Sequence, residues 1–299
     1  MSIFDSVFSL ALIATTLTFL TPLLFASIGG AVTQQGDILN IGLDGMMLIG
    51  AFAGVVGGSV SGSALVGVLA AVVASLLLSL VYAACTLWLK ADFIVVGIGV
   101  NILAAGLTVF LLQTMYGNPG GTPGTVTSSL PKFHIPLLGD QTVLVYLALL
   151  CVPLYAFLLY RTRFGVHLRA VGEDLPAATA AGINGTRIKL WSILICGALC
   201  GLAGAQLSMA NLGSFVAGMT SGRGFIAVAA LTFGRAKPVP TLVAAIIFGL
   251  ADAVADRLGV AGVNSYLAKT APYIITIIAL TLAAMEIGKR RRRTAAATA

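Results

Sequence analysis

Charge is what this sequence most lacks. Asp, Glu, Lys and Arg together make up 9% of its 299 residues, against about 25% in a soluble domain. With 59% of the residues hydrophobic and a mean hydropathy of +1.04, too little polar surface remains to clothe a water-soluble globule. Lipid must be the solvent for most of the chain. Histidine is scarce, and His134 and His167 stand alone in separate polar stretches, so no Ser/His/Asp set can be assembled from neighbouring motifs. The four cysteines, Cys85, Cys151, Cys196 and Cys200, all lie inside apolar runs. No His or carboxylate joins Cys196 and Cys200 to complete a metal set, so they read as small packing residues and say little about redox compartment. The phosphate-binding pattern G-x-x-x-x-G-K-[ST] is missing too. These gaps argue against an enzyme. The net charge of +7 is no nucleic-acid footprint, because the basic residues are not interleaved with aromatics on one face. "MSIFDSVF" has neither a basic n-region nor a small-residue cleavage site, so the first apolar run is expected to be an uncleaved span.

What is present is a series of long apolar runs. About 20 residues of helix cross the hydrocarbon, and nine candidate runs lie near 7–32, 38–58, 64–89, 93–115, 143–160, 188–211, 225–233, 239–254 and 272–287. The run at 225–233 is short and flanked by Gly, so a full crossing is doubtful there. Continuous runs exclude the alternating pattern of barrel strands. The expectation is an all-α, polytopic integral membrane protein of about nine transmembrane helices, folded as one domain over 1–299. Orientation follows from Lys and Arg. With the N-terminus outside, thirteen of the seventeen basic residues fall on the cytoplasmic side, and only Lys132, Arg223, Arg257 and Lys269 fall outside. The tail "KRRRRTAAATA" within 288–299 is then cytoplasmic and faces anionic lipid. The fifth span reverses direction, so the last four spans sit inverted relative to the first four, which fits an inverted repeat. "GDILNIGLDG" and "SGRGFIAVAALTFGR" take matching places in the two halves.

Two hydrophilic segments stand out. The Gly/Pro/Thr/Ser-rich stretch 116–140 is too long for a mere connector and should fold over the outer mouth or meet a partner. The segment 161–189 is the main cytoplasmic loop. Within it Asp174 can accept from free amides at a helix start, Pro176 suits a first turn, "AATAA" forms helix readily and Gly182 supplies a stop. The result is a mini-helix of about two turns whose small apolar surface, Ala177, Ala178 and Ala181, suits docking into a partner's groove.

Intramembrane polar residues are few, and each needs a reason. Asp37, Asn40, Ile41 and Asp44 would share one face of a helix, and that face cannot sit in lipid cheaply. It is either a polar lining of a pathway or an internal hydrogen-bonding set that pins a broken backbone around Gly36, Gly42 and Gly45. Asn101, Gln113, Gln206 and Asn211 are further amides within the spans. The series Gly50, Gly54, Gly58 and Gly197, Gly201, Gly204 suits close helix packing.

The stretch "FGVHLRAVGEDLPAATAAGINGTRIK" resembles the coupling-helix loop of permease subunits in bacterial ABC importers for branched-chain amino acids, ribose-type sugars and nucleosides. "QQGDILNIGLDGMMLIGAF" is similar to the second-span signature of the nucleoside and simple-sugar branch, which often has Glu where this chain has Asp44. "GRGFIAVAALTFGRAKPVPTLVAAIIFG" resembles the matching late signature. The likeness runs from about residue 19 to 287, and it lacks the extra N-terminal span of ribose-type members, in agreement with an outside N-terminus. It implies that this chain forms the translocation pathway, most readily for nucleosides. ATP and Mg2+ are then held by a separate cytoplasmic ATPase, and this chain needs no cofactor. The implied partners are that ATPase, a second homologous or identical permease, an extracytoplasmic solute-binding protein and the lipid of the cytoplasmic (inner) membrane. The implied coupling residues are Glu173, Asp174, Pro176, Ala177, Ala178, Ala181 and Gly182. The candidate pathway residues are Asn40, Asp44, Asn101, Gln206 and Asn211, since a neutral, hydroxyl-rich solute needs amides and hydroxyls along its route. Two rivals stay open: a simple-sugar permease of the same kind, and a secondary transporter driven by H+ or Na+ with Asp44 as its ion site.

Overall fold

A computed structural model describes residues 11–123, 130–135 and 139–260. The chain in this range is built from ten helices and one small hairpin. α1 spans Ala11–Gln35, α2 Leu43–Ser61, α3 Ala64–Ala83, which continues as a π-helical turn Ala84–Trp88, and α4 Phe93–Tyr116. Strands β1 (Lys132–Ile135) and β2 (Gly139–Thr142) pair antiparallel, with Lys132 opposite Thr142. α5 (Val143–Arg161), α6 (Arg163–Glu173), α7 (Leu175–Ala180) and α8 (Gly185–Ala205) follow. α8 runs on as a wider π-helical stretch, Gln206–Leu212, before α9 (Arg223–Phe233) and α10 (Pro238–Val260).

Among the described residues, seven helices are long and apolar enough to cross a membrane: α1, α2, α3 with its π turn, α4, α5, α8 with its extension, and α10. The chain is therefore a multi-pass, α-helical membrane protein. α9 has 11 residues, about 16 Å at the helical rise, and cannot by itself cross ~30 Å of hydrocarbon. The expected run at 272–287 and the basic tail lie outside the described residues.

Burial sorts the spans. α1, α2 and α8 form the centre, with Leu23, Leu24, Phe25, Met46, Met47 and Cys200 fully buried. α3, α4 and α5 surround them and turn large apolar side chains such as Leu65, Leu77, Ile102, Phe110 and Leu150 outward. An exposed apolar surface of that extent is stable in lipid and not in water. The centre is tight because the glycine series permits backbone contact. A Cβ at Gly204 would stand 2.3 Å from the Met47 carbonyl oxygen of α2, and one at Gly50 would stand 2.9 Å from the Gly201 Cα. Side chains there would force α2 and α8 apart, as the small-residue spacing anticipates.

The approach to α2 differs from the sequence expectation. Residues 36–42 are not helical, and Asp37 takes a left-handed φ of 60°. Asp37, Asn40, Ile41 and Asp44 therefore do not share a helical face. Gly42, Gly45 and long-range partners keep this stretch irregular, as the second of the two readings of these residues supposed. The described part of the loop after α4 is tied to the bundle. Gly120–Thr122 pair with Phe215–Ala217 between α8 and α9, through Thr122 N–H to Phe215 O at 2.9 Å and Ala217 N–H to Gly120 O at 2.9 Å. The β1–β2 hairpin adjoins α1, where the Gln141 amide donates to Ala14 O at 3.2 Å.

Candidate functional site: a polar cavity, a helix junction and a docking loop

The five candidate pathway residues separate into two groups. Asn40, Asp44 and Asn101 surround the start of α2. Asn40 is 2% exposed; its carbonyl accepts from Gly42 N–H at 2.9 Å, and its amide points to Cys196 Sγ at 3.5 Å and Met46 Sδ at 3.8 Å. Asn101, on α4, accepts from Gly45 N–H at 2.7 Å and donates to Ile41 O at 3.0 Å. One amide thus ties both sides of the broken backbone to a neighbouring span, which satisfies groups that lipid could not.

Asp44 makes the longest reach. One carboxylate oxygen accepts from Gly224 N–H at 2.9 Å, and the other accepts from the Thr220 hydroxyl at 3.0 Å. The side chain sits in the first turn of α2 and caps the first turn of α9. Two helix amino ends, each carrying partial positive charge, converge on one carboxylate. The approach is close because residue 224 is glycine, where a Cβ would lie 2.3 Å from the Asp44 backbone nitrogen. The two stretches given matching places in the halves of the sequence meet at this junction.

Gln206 and Asn211 lie elsewhere, on a cavity of about 450 Å³ within the range of small-molecule sites. The π-helical stretch supplies both residues, β2 supplies Gln141 and Thr142, and α1 supplies Thr18 and Phe19. Gln206, 1% exposed, accepts from the Thr142 hydroxyl at 3.0 Å and donates to Asn211 Oδ1 at 3.2 Å. Thr18 donates to Gln141 Oε1 at 3.4 Å. Widening the helix from α to π rotates these amides toward the cavity, a frequent use of such turns.

Charge enters the cavity on one side. Arg223 begins α9, and its guanidinium lies 5.6 Å from the centre of the Phe19 ring and 3.4 Å from Asp252 on α10. Asp256, one turn on, also lines the cavity. Arg223, Phe19, Gln141, Thr142, Asp252 and Asp256 were not singled out by sequence reasoning. The readable signal was "ADAVADR", where two carboxylates four apart fall on one face of an otherwise apolar helix. Arg223 directly precedes the glycine that Asp44 caps, so the junction and the cavity wall share one helix start.

At the opposite end of the bundle the expected mini-helix is α7. Asp174 Oδ1 accepts from Ala177 N–H at 3.0 Å, Pro176 lies in the first turn, and Gly182 ends the motif at φ 81°. Glu173, Ala177 and Ala181 are exposed. Ala178 is 4% exposed and packs inward, so the outward small-residue surface is narrower than the sequence suggested. The preceding helix α6 was not foreseen. Thr162 caps it by accepting from Gly165 N–H at 3.1 Å, and Gly165, Leu168 and Val171 face inward. A Cβ at Gly172 would stand 2.1 Å from Gln35 O. α6 therefore rests directly on the turn that leads from α1 to Asn40 and Asp44. On the same side, Ala236 O accepts from the Gln35 amide at 3.0 Å and from the Tyr155 hydroxyl at 2.6 Å, joining α1, α5 and the α9–α10 turn.

Comparison with known proteins matches the sequence to a family. The profile of the branched-chain amino acid transport system / permease component family matches residues 12–283. The nucleoside ABC transporter permease protein NupC of Lactococcus lactis is 35% identical over 91% of this chain and 91% of its own. The guanosine ABC transporter permease protein NupQ of Bacillus subtilis is 34% identical over 90% of this chain and 91% of its own. A putative glucose ABC transporter permease, TsgC13 of Haloferax volcanii, is 34% identical over 93% of each chain. No solved structure matches. With a profile match along nearly its whole length and full-length relatives above 30% identity, the chain belongs to the branched-chain amino acid transport system permease family, and is a transport component, not an enzyme.

Proposed function

We propose that this chain is the permease subunit of an ABC importer and forms the translocation pathway for nucleosides. The observation that carries the reading is the cavity. It offers amides from Gln141, Gln206 and Asn211, hydroxyls from Thr18 and Thr142, and an aromatic face at Phe19 beside Arg223. A nucleoside is neutral, has a hydroxyl-rich sugar and carries a planar base, and these groups match it in kind. The nucleoside and guanosine permeases of L. lactis and B. subtilis support the same solute class. The putative glucose permease of H. volcanii keeps a second solute in view, because a sugar also asks for amides and hydroxyls.

In this reading the N-terminus is outside, nine segments make the crossing path with α9 as a half-span, and the two halves form an inverted repeat meeting at Asp44 and Gly224. The segment 161–189 is the cytoplasmic coupling loop, 116–140 the extracytoplasmic loop and 288–299 a basic cytoplasmic tail, all parts of one permease domain. A cytoplasmic ATPase holds ATP and Mg2+ and docks on α7 through Glu173, Asp174, Pro176, Ala177 and Ala181, with Ala178 packing the helix from within and the exposed Gly182 ending it. A second permease completes the pathway, a solute-binding protein delivers the nucleoside, and the assembly sits in the bacterial inner membrane. α6 gives the ATPase a short mechanical route, since movement at α7 reaches Gln35 and the broken start of α2 through a backbone contact.

The cavity makes the reading testable. Asn211→Leu removes an amide that is half-exposed to the cavity and, among the described residues, is bonded through its side chain to Gln206. It is expected to raise the nucleoside concentration for half-maximal uptake by about tenfold, the scale of one lost polar contact, while expression and ATPase association stay normal. An unchanged uptake curve with a folded variant would place the solute route elsewhere.

A further inference from the structure

A second pocket, of about 570 Å³, opens at the α7 end of the bundle, where α7, the start of α8, the π turn after α3 and the start of α4 come together. Lys189 lines it and is 9% exposed. Its ammonium sits 5.8 Å from the centre of the Phe93 ring. It meets no carboxylate and no carbonyl acceptor among the described residues. Its stem is packed while its ammonium faces the open pocket, and a lysine so placed ordinarily has an anionic partner.

The rest of the pocket is arranged as a donor set. Asn184, Gly185 and Thr186 line it and form the amino end of the 21-residue α8. Asn184 Oδ1 is used on Arg187 N–H at 3.0 Å, which leaves the earlier amides of that turn for another acceptor. The Thr86 and Thr179 hydroxyls already donate to Tyr82 O and Leu175 O, each at 2.8 Å. Exposed Lys90 and Arg187 add positive charge at the ends of the same elements. Trp88 and Trp191 are exposed nearby in sequence, and Leu89, Ile94 and Val95 present apolar surface beside them. Tryptophan at such a level marks the boundary between hydrocarbon and headgroups.

We infer that this pocket binds the phosphate of an anionic phospholipid headgroup, with Lys189 and the amino end of α8 as its donors. The inference rests on the proposed orientation, which puts this end of the bundle at the cytoplasmic leaflet, where anionic lipid is available. A phospholipid suits the site better than an acidic side chain of the ATPase, because Leu87 and Phe93 of the membrane spans line the pocket and the exposed apolar faces beside it can receive acyl chains. A bound headgroup would touch both α7 and α8, and so brace the docking helix against the spans.

Native mass spectrometry of the delipidated full-length protein in detergent tests this. Titration with phosphatidylglycerol is expected to reveal one saturable site that phosphatidylcholine fills at least about tenfold less well. Lys189→Gln should weaken that site by about tenfold or more, and Lys189→Arg should keep it. Thr186→Asp gives an independent variant, since an acidic residue in the first turn favours the helix yet repels an anion from the pocket; it should lose the site at unchanged thermal stability. Competition by millimolar inorganic phosphate would identify free phosphate as an alternative source of the same group, whereas no competition would assign the site to lipid. Equal phosphatidylglycerol binding by wild type, Lys189→Gln and Thr186→Asp would overturn the inference. So would loss of ATPase binding in Lys189→Gln with lipid binding intact.

Discussion

Asp44→Leu is expected to abolish uptake and to sharply reduce the amount of monodisperse protein. The substitution leaves Gly224 N–H and the Thr220 hydroxyl without the acceptor they now share. Each unsatisfied buried donor costs about 1–3 kcal/mol, and Gly224 and Thr220, both buried, have no substitute acceptor in a leucine side chain. Together the losses come to about 2–6 kcal/mol, a large fraction of the roughly 5–15 kcal/mol that keeps a domain folded. Asp44→Asn is the informative companion. Its carbonyl can still accept one of the two bonds, but its NH2 group faces the other donor. Folded protein should be recovered and uptake should fall only in part. If Asp44→Asn folded normally yet stopped uptake and removed its pH dependence, the carboxylate would be an ion-coupling group. That outcome would favour a transporter driven by H+ or Na+.

Ala177→Glu should give the opposite combination, a well-folded permease that transports nothing. Ala177 is exposed on α7, and an acidic side chain near the amino end does not disturb a helix. At a packed interface the added bulk and the desolvated charge cost a few kcal/mol, enough to weaken ATPase association about a hundredfold. Ala178→Glu is the contrasting control, because Ala178 is buried within this chain and its substitution should damage the loop itself. Co-purification of the ATPase at the wild-type ratio with Ala177→Glu, together with normal uptake, would show that α7 is not the docking helix.

Local signals explain which parts of the fold were readable. α4 starts where expected because Asp92 caps it, accepting from Ile94 and Val95 N–H. α7 was readable from Asp174, Pro176 and Gly182, all within nine residues of one another. α6 was passed over, since Arg163, His167 and Arg169 drew attention to charge while Thr162 and the Leu168–Val171 spacing carried the helix. The broken approach to α2 was hinted at by its glycines, but its course was not. Its bonds come from Asn101, 56 residues away, and its link to α9 spans 180 residues. No local pattern carries such pairings. The cavity was half legible for the same reason: amides inside apolar runs pointed to Gln206 and Asn211, whereas Thr18, Gln141 and Thr142 are brought to them only by the packing of β2 on α1.

The most direct measurement is uptake of radiolabelled guanosine into proteoliposomes holding the complete complex: this permease, its partner permease, the ATPase and the solute-binding protein. Accumulation is expected to require ATP and the binding protein, to persist without an ion gradient, and to be competed by other nucleosides far better than by glucose or ribose. Accumulation driven by an H+ or Na+ gradient in the absence of ATP, or ATP-driven uptake of glucose with none of guanosine, would contradict this expectation.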